Sequence, residues 1–168
     1  AVAELRSTAI LWREDGVWIG AQTLSLRNIA QNRPRVCPAC LQEDLEGGGE
    51  PKLEARPRYR VTWTVPFVLT CPVHRCLLIS PRELAMGSSS SIPDSMRRYP
   101  NWIHRAARST TAAPASPLES WLAKRLAGGE TAAGLLEQLP LYVGARLANV
   151  TGWSMALGER APWGSLTD

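Results

Sequence analysis

Two short motifs constrain the fold of this chain more than any other feature. They are CPAC, with Cys37 and Cys40, and CPVH, with Cys71 and His74, and thirty residues separate them. Each motif forms a tight turn that directs two ligands toward one tetrahedral centre, and two such turns supply the four ligands of a structural zinc site. The sequence therefore predicts one structural Zn2+ ion held by Cys37, Cys40, Cys71 and His74.

The fourth ligand has an alternative in Cys76, which lies two residues beyond His74. The spacing of Cys71 and His74 equals that of Cys37 and Cys40, whereas a pair made of Cys71 and Cys76 would need a wider loop. We therefore expect Cys76 in the apolar packing beneath the site, because free cysteines are usually buried. Ordinary free or disulfide-bonded cysteines are the other reading, which the doubled spacing disfavours.

The predicted ligand set argues against catalysis by the metal. Three thiolates and an imidazole fill all four positions, whereas a catalytic zinc keeps one position for water. The sequence also holds no GxSxG motif, no HExxH motif and no glycine-rich phosphate loop followed by lysine. We expect a protein that is not an enzyme.

Proline, glycine and apolar patterns divide the chain into three parts. Residues 1–32 are predicted to be mostly helical, with a turn at Asp15-Gly16. Residues 33–82 form a loop-rich zinc-binding lobe, because seven prolines exclude long helices there. Within this lobe, the Val, Thr and aromatic residues from Tyr59 to Leu69 predict a short β-hairpin.

Residues 96–160 are predicted to form a helical lobe. Its clearest signal is a capping box, Ser116-Pro117-Leu118-Glu119, which begins a helix that ends at Gly128-Gly129. Two further helical patterns follow, over 131–139 and 141–157, and they suggest a helix-turn-helix-like arrangement. The fold class expected is α+β, mostly helical.

The charge is moderately positive and carried by arginine. Formal net charge is +4, with seventeen arginines and only two lysines. Arginine binds phosphate or carboxylate bidentately, so this bias suits nucleic acid or an acidic protein, although a GC-rich genome explains it equally well. Alternating Arg56, Arg58 and Arg60 would share one face of an extended chain and contact a phosphate backbone, or protect a solvated edge strand.

No apolar run is long enough to cross a bilayer, and no secretory signal is visible at the N-terminus. We expect a cytoplasmic protein without membrane contact. The first residue is not Met, which leaves open whether the chain is a fragment of a longer protein. The sequence also leaves open whether the chain forms a homodimer.

Several segments occur in an order typical of one family. They are RVCPACL at 35–41, Tyr59-Arg60 and Trp63 before CPVH at 71–74, and then Leu77-Leu78. This order resembles the TniQ family of transposition proteins. Further similarity over about residues 20–160 comes from His104 to Ala107, SPLESWLAKRLAG at 116–128, LLEQLPL at 135–141 and ARLANVTGW at 145–153.

The resemblance implies a target-selection adaptor that joins a target-recognition module to an AAA+ ATPase and a transposase. In some systems the module is a CRISPR effector with its guide RNA. It implies metal-ligand roles for the same four residues and no catalytic residue. Family members often carry a further cysteine pair after CPxH, where this chain has only Cys76, so a second zinc site is left open.

A different class of function is also compatible with the sequence. Leu135 to Leu157 would then be the helix-turn-helix of a stand-alone, zinc-containing DNA-binding regulator. Arg146 and Asn149 are suited to reading bases, but Val143, Leu147 and Val150 have the spacing of core residues. We therefore favour the adaptor, with arginines contacting the DNA backbone.

Overall fold

The computed structural model describes residues 10–14, 16–20, 22–24, 34–47, 57–85, 91–129 and 134–157. It divides into two compact units, Leu26–Ala123 and a second unit made of Ala1–Ser25 with Lys124–Asp168. The division predicted from the sequence, into residues 1–32, 33–82 and 96–160, stays a prediction.

The described residues are mostly helical, with one small antiparallel sheet, and the predicted α+β class is confirmed. No helix among them is long and apolar enough to cross a membrane. The strands are β1 (Ile10–Arg13), β2 (Gly16–Ile19) and β3 (Gln22–Leu24). The α-helices are α1 (Pro38–Glu46), α2 (Arg82–Ala85), α3 (Ile92–Arg98), α4 (Trp102–Arg108), α5 (Pro117–Leu126), α6 (Leu135–Gln138) and α7 (Leu141–Leu157).

The sheet corrects the prediction of a mostly helical N-terminal segment, which is wrong for residues 10–24. The strands pair in the order β1-β2-β3, with Leu11 opposite Trp18 and Val17 opposite Leu24. Val17 and Ile19 are buried and Trp18 between them is partly exposed, which is the period of two that a strand requires. The predicted turn is confirmed at Gly16, whose φ is +140°, while Asp15 lies outside the described residues.

In the same unit, Arg125 connects the sheet to the last two helices. Its guanidinium donates to the carbonyls of Leu136 and Leu139, at 3.1 and 3.0 Å, and to the Gln22 side chain at 3.1 Å.

The helix predicted over 141–157 is confirmed. In the segment predicted as helix over 131–139, the described helix is only Leu135–Gln138.

In the unit Leu26–Ala123, helix α1 packs against α4, and the core holds Leu41, Trp102 and Ile103. Most of the described backbone between these helices is irregular, with isolated pairings such as Thr70 with Leu77. A loop-rich lobe was predicted here, and the irregular backbone agrees with the number of prolines.

The β-hairpin predicted over Tyr59–Leu69 is wrong. Val61–Thr64 form a 3-10 helix, which brings the rings of Tyr59 and Trp63 edge to face at 5.6 Å. The carbonyls of Val65 and Pro66 accept hydrogen bonds from the Arg35 guanidinium, at 2.6 and 2.9 Å. A β ladder is disfavoured here because Pro66 has no N–H to donate.

Asp44, on α1, binds the residues that precede this 3-10 helix. Its carboxylate accepts bonds from the Arg60 guanidinium, with Nη2 at 2.8 Å, and from the Arg58 backbone N–H at 2.9 Å. The Arg60 guanidinium also lies 5.1 Å from the ring centre of Trp63. Burial by itself raises the pKa of Asp44, but the bonds from Arg60 and Arg58 hold this pKa below its usual value. The carboxylate is therefore charged and fully paired in the fold.

We predict that Asp44→Asn lowers the free energy of unfolding by about 2 kcal/mol at neutral pH, because the amide leaves charged donors without an acceptor. Equilibrium unfolding in urea measures this change. The matched control is Glu46→Gln, which alters an exposed residue of the same helix and should change stability by less than about 0.5 kcal/mol. Equal effects of the two variants would contradict the role given to Asp44.

Candidate metal centre

Each of the two ligand-bearing turns is called a knuckle here, and the first, from Cys37 to Cys40, lies at the start of α1. Cys37 precedes the helix in an extended conformation, and Cys40 lies in the first turn. Pro38 occupies the first helical position, where the missing N–H has no intrahelical partner to lose. Positions three residues apart lie on the same side of a helical turn, so both cysteine side chains are directed to one point.

The second knuckle is a tight reversal from Cys71 to Cys76. The Cys71 N–H donates to the Cys76 carbonyl at 2.8 Å, and the Arg75 N–H donates to the Cys71 carbonyl at 2.8 Å. Arg75 has a φ of +49°, which is uncommon for a residue other than glycine and turns the chain back on itself. The reversal leaves Cys71 and His74 on one side, and the His74 N–H points at the Cys71 sulfur at 3.5 Å.

A buried carboxylate, Glu119, binds the two residues that directly precede this knuckle. Its Oε1 atom accepts from the backbone N–H groups of Leu69 and Thr70, each at 2.7 Å, and from the Thr70 hydroxyl at 2.9 Å. Its Oε2 atom accepts from the Ser116 N–H at 2.8 Å, and the Glu119 N–H donates to the Ser116 hydroxyl at 3.2 Å. The predicted capping box is thus confirmed. Burial raises the pKa of Glu119, but these bonds bring it below its usual value.

The two knuckles bring Cys37, Cys40, Cys71 and His74 together into what we call the Cys3His cluster. Their ligand atoms all lie within 4.8 Å of one another, and the three cysteines are buried. The Cys40 and Cys71 sulfurs are 3.6 Å apart, and His74 Nδ1 lies 3.6, 3.3 and 3.7 Å from the sulfurs of Cys37, Cys40 and Cys71. A tetrahedron with zinc's bond lengths has edges of about 3.5–3.8 Å. These four distances are close to the edges of such a tetrahedron, and the residues therefore fit a metal ion of this size.

The thiols of the cluster share protons unequally. Hydrogen bonds from Cys40 and Cys71 lower the pKa of Cys37 to about 2. The same contact with Cys37 raises the pKa of Cys40, since that thiol donates its proton and would face a neighbouring thiolate if it ionised. Cysteine binds a metal as the thiolate, so a cation that displaces the thiol protons would complete this ligand set.

His74 is oriented by Glu43. The Nε2 atom of the ring lies 3.0 Å from Glu43 Oε1, which leaves Nδ1 directed at the three sulfurs. Burial lowers the pKa of His74, but contacts with Cys71 and Glu43 raise it above the usual value overall. A carboxylate on the outer nitrogen fixes both ring orientation and tautomer in metal sites. Sequence reasoning missed Glu43, although its position three residues after Cys40 puts it near the same side of α1.

Cys76 lies beside the cluster without belonging to it. Its sulfur is 3.6 Å from that of Cys37, and its side chain is buried. Burial, followed by the contact with Cys37, raises the pKa of Cys76 to about 12. As a neutral thiol it can donate a hydrogen bond to the Cys37 sulfur.

The arginines suggested for nucleic-acid contact are not alike in the structure. The Arg58 side chain is exposed, whereas Arg60 is engaged by Asp44 and Trp63. Arg56 lies outside the described residues. Their role in binding nucleic acid stays a prediction.

Comparison with known proteins gives one match. The TniQ family model matches residues 2–78, a stretch that contains both knuckles. No curated protein and no solved structure gave a significant match. The similarity suggested for the helical segments between His104 and Trp153 lies beyond the matched residues and stays a prediction.

We predict one zinc ion per chain, measurable by elemental analysis of the purified protein. Replacing a residue outside the ligand shell typically weakens zinc binding about 10- to 100-fold. His74→Ala should weaken it more than this, because it removes a ligand. Cys76→Ala should weaken it about tenfold or less. Competition with a chromophoric chelator compares the two variants. Loss of zinc from Cys76→Ala and its retention by His74→Ala would show that Cys76 is the fourth ligand.

We further predict that Glu119→Gln destabilises the unit Leu26–Ala123 by about 2 kcal/mol, because the amide cannot accept from all of its present donors. Hydrogen exchange of the Leu69 and Thr70 amides should accelerate in this variant. Ser120→Ala, an exposed change in the same helix, is the control. Unchanged exchange at Leu69 and Thr70 would show that the carboxylate does not hold the knuckle.

Proposed function

We propose that this chain acts as a transposition adaptor, from the premise that it belongs to the TniQ family of transposition-associated proteins through residues 2–78. It would link a target-recognition module to an AAA+ ATPase and a transposase. The module would be DNA-bound or a CRISPR effector with its guide RNA. The observation that carries this proposal is the Cys3His cluster, which lies inside the matched residues.

The metal in this proposal is a structural zinc ion. Three sulfurs and one imidazole would complete a tetrahedral shell and leave no position for water or substrate. TniQ domains are a non-catalytic family, and we expect no turnover by this chain. The ion would instead supply folding free energy to the unit Leu26–Ala123, by joining two of its segments that are far apart in the sequence.

The second knuckle offers a surface for a protein partner. Val73, at the tip of the turn, is 71% exposed, and Leu69 and Leu77 on its two arms are 53% and 39% exposed. Exposed apolar side chains on a rigid support favour protein contact. Tryptophan often anchors protein interfaces, but Trp63 and Trp102 are buried here, whereas Trp121 is partly exposed.

The test is a pull-down of an AAA+ transposition ATPase, with and without a zinc chelator. We expect binding to be lost on chelation and to fall about tenfold in Val73→Asp, as for an interface residue of moderate importance. Leu135→Asp, equally exposed but in the other unit, is the matched control. ATPase binding that survives chelation, or ATP hydrolysis by this chain alone, would overturn the proposal.

The regulator alternative gains no support from the described residues. Its helix-turn-helix would consist of α6 and α7, and α6 has only four residues, none of them buried. A first helix this short offers little surface for positioning a recognition helix on DNA.

A further inference from the structure

We propose that α3 and α4 form a docking surface for double-stranded DNA, with α4 facing the major groove. This inference rests on the proposed function and assigns one of its partners to named residues. In place of the phosphate contacts predicted at Arg56, Arg58 and Arg60 it uses a different set, Asn101, His104, Arg105 and Arg108, which we call the α4 stripe.

The two helices have the connectivity of a helix-turn-helix. Helix α3 ends at Arg98 and α4 begins at Trp102, so the turn comprises Tyr99, Pro100 and Asn101. The Tyr99 N–H donates to the Ser95 carbonyl at 2.8 Å, and the Trp102 N–H donates to the Tyr99 carbonyl at 3.1 Å. Turns of three or four residues join the helices of DNA-binding motifs, in which the second helix enters the major groove.

Helix α4 has one buried face and one polar face. Trp102 and Ile103 are 1% and 0% exposed, and the helix packs against α1. The α4 stripe occupies positions separated by three, four and seven residues, which lie in line along one side of a helix. All four members are exposed, and each presents hydrogen-bond donors.

The surroundings of the stripe carry an excess of positive charge. From Arg82 to Arg108 the chain has five arginines and only two carboxylates, Glu83 and Asp94. Asp94 pairs with Arg97 at 3.1 Å and Glu83 with Arg105 at 3.4 Å, and both arginine side chains remain mostly exposed. Exposed pairs of this kind are weak, so a phosphate group can compete for the same guanidinium.

The acids of α1, the helix that packs against α4, have contacts of their own. Asp44 is neutralised by Arg60, and Glu43 contacts His74. Glu46 accepts a hydrogen bond from Gln42 at 2.7 Å and stays ionised, because the amide carries no charge. Five arginines and two carboxylates from Arg82 to Arg108 leave a formal charge of +3 there, which suits a polyanion.

The composition of the surface favours DNA over other polyanions. Protein interfaces centre on large apolar or aromatic anchors, and within the described residues α3 and α4 expose no large hydrophobic side chain. Duplex RNA is disfavoured because its major groove is too narrow and deep for side chains to read. Asparagine and arginine on one helix face suit the wider major groove of DNA.

The experiment uses the full zinc-loaded chain and a fluorescent, mixed-sequence DNA duplex, titrated at several salt concentrations. Arg105→Ala/Arg108→Ala should reduce affinity about tenfold or more and lower the salt slope by about 2, since each lost phosphate contact removes about 0.9 from it. Arg13→Ala/Lys124→Ala removes the same charge from exposed positions elsewhere and should leave both quantities near those of the unchanged protein. Zinc content and thermal midpoint verify folding, and Arg108→Glu replaces the double variant if that variant is unstable.

Three outcomes would overturn the inference: no DNA binding by the unchanged protein, equal loss in both double variants, or binding to duplex RNA as tight as to DNA. A failure here is separable from a failure of the adaptor role. The ATPase pull-down depends on the zinc site and Val73, and Arg105→Ala/Arg108→Ala should retain ATPase binding. Loss of DNA binding with retained ATPase binding is the result we expect.

Discussion

The convergence of four ligand atoms within 4.8 Å is the constraint on which the unit Leu26–Ala123 depends. The two contributing segments are far apart in sequence, and neither is part of a regular β ladder. Joining them closes a long loop and fixes the start of α1 against the turn at Cys71–Cys76. A cation bound there would convert proton-sharing thiols into a rigid centre, because three mutually close sulfurs repel one another once ionised.

Backbone groups of the irregular segments around the cluster hydrogen-bond to buried or half-buried charged side chains instead of to neighbouring strands. Glu119 accepts the N–H groups of Leu69 and Thr70, Asp44 accepts that of Arg58, and Arg35 donates to the carbonyls of Val65 and Pro66. Backbone groups withdrawn from water need such partners, and ionised acceptors bind them strongly. These backbone groups of the loop-rich segment therefore have partners, although none of them belongs to the sheet.

Two kinds of surface occur on this unit. The second knuckle exposes aliphatic side chains, whereas α3 and α4 expose arginine, histidine and asparagine. The first surface suits a protein and the second a polyanion. An adaptor requires this combination, since it must hold two partners of different chemistry at once.

The sequence by itself determined the parts that depend on local spacing. The spacing of the two knuckles identified the residues that the structure brings together, and Ser116 with Glu119 identified the start of α5, because both signals lie within one turn of chain. Tertiary structure decided the rest. The second oxygen of Glu119 finds Leu69 and Thr70 about fifty residues away, and Arg35 withdraws Val65 and Pro66 from a hairpin. The apolar residues from Ile10 to Leu24 form strands instead of helices because pairing between neighbouring strands buries Val17 and Leu24, and short apolar runs by themselves do not distinguish strand from helix.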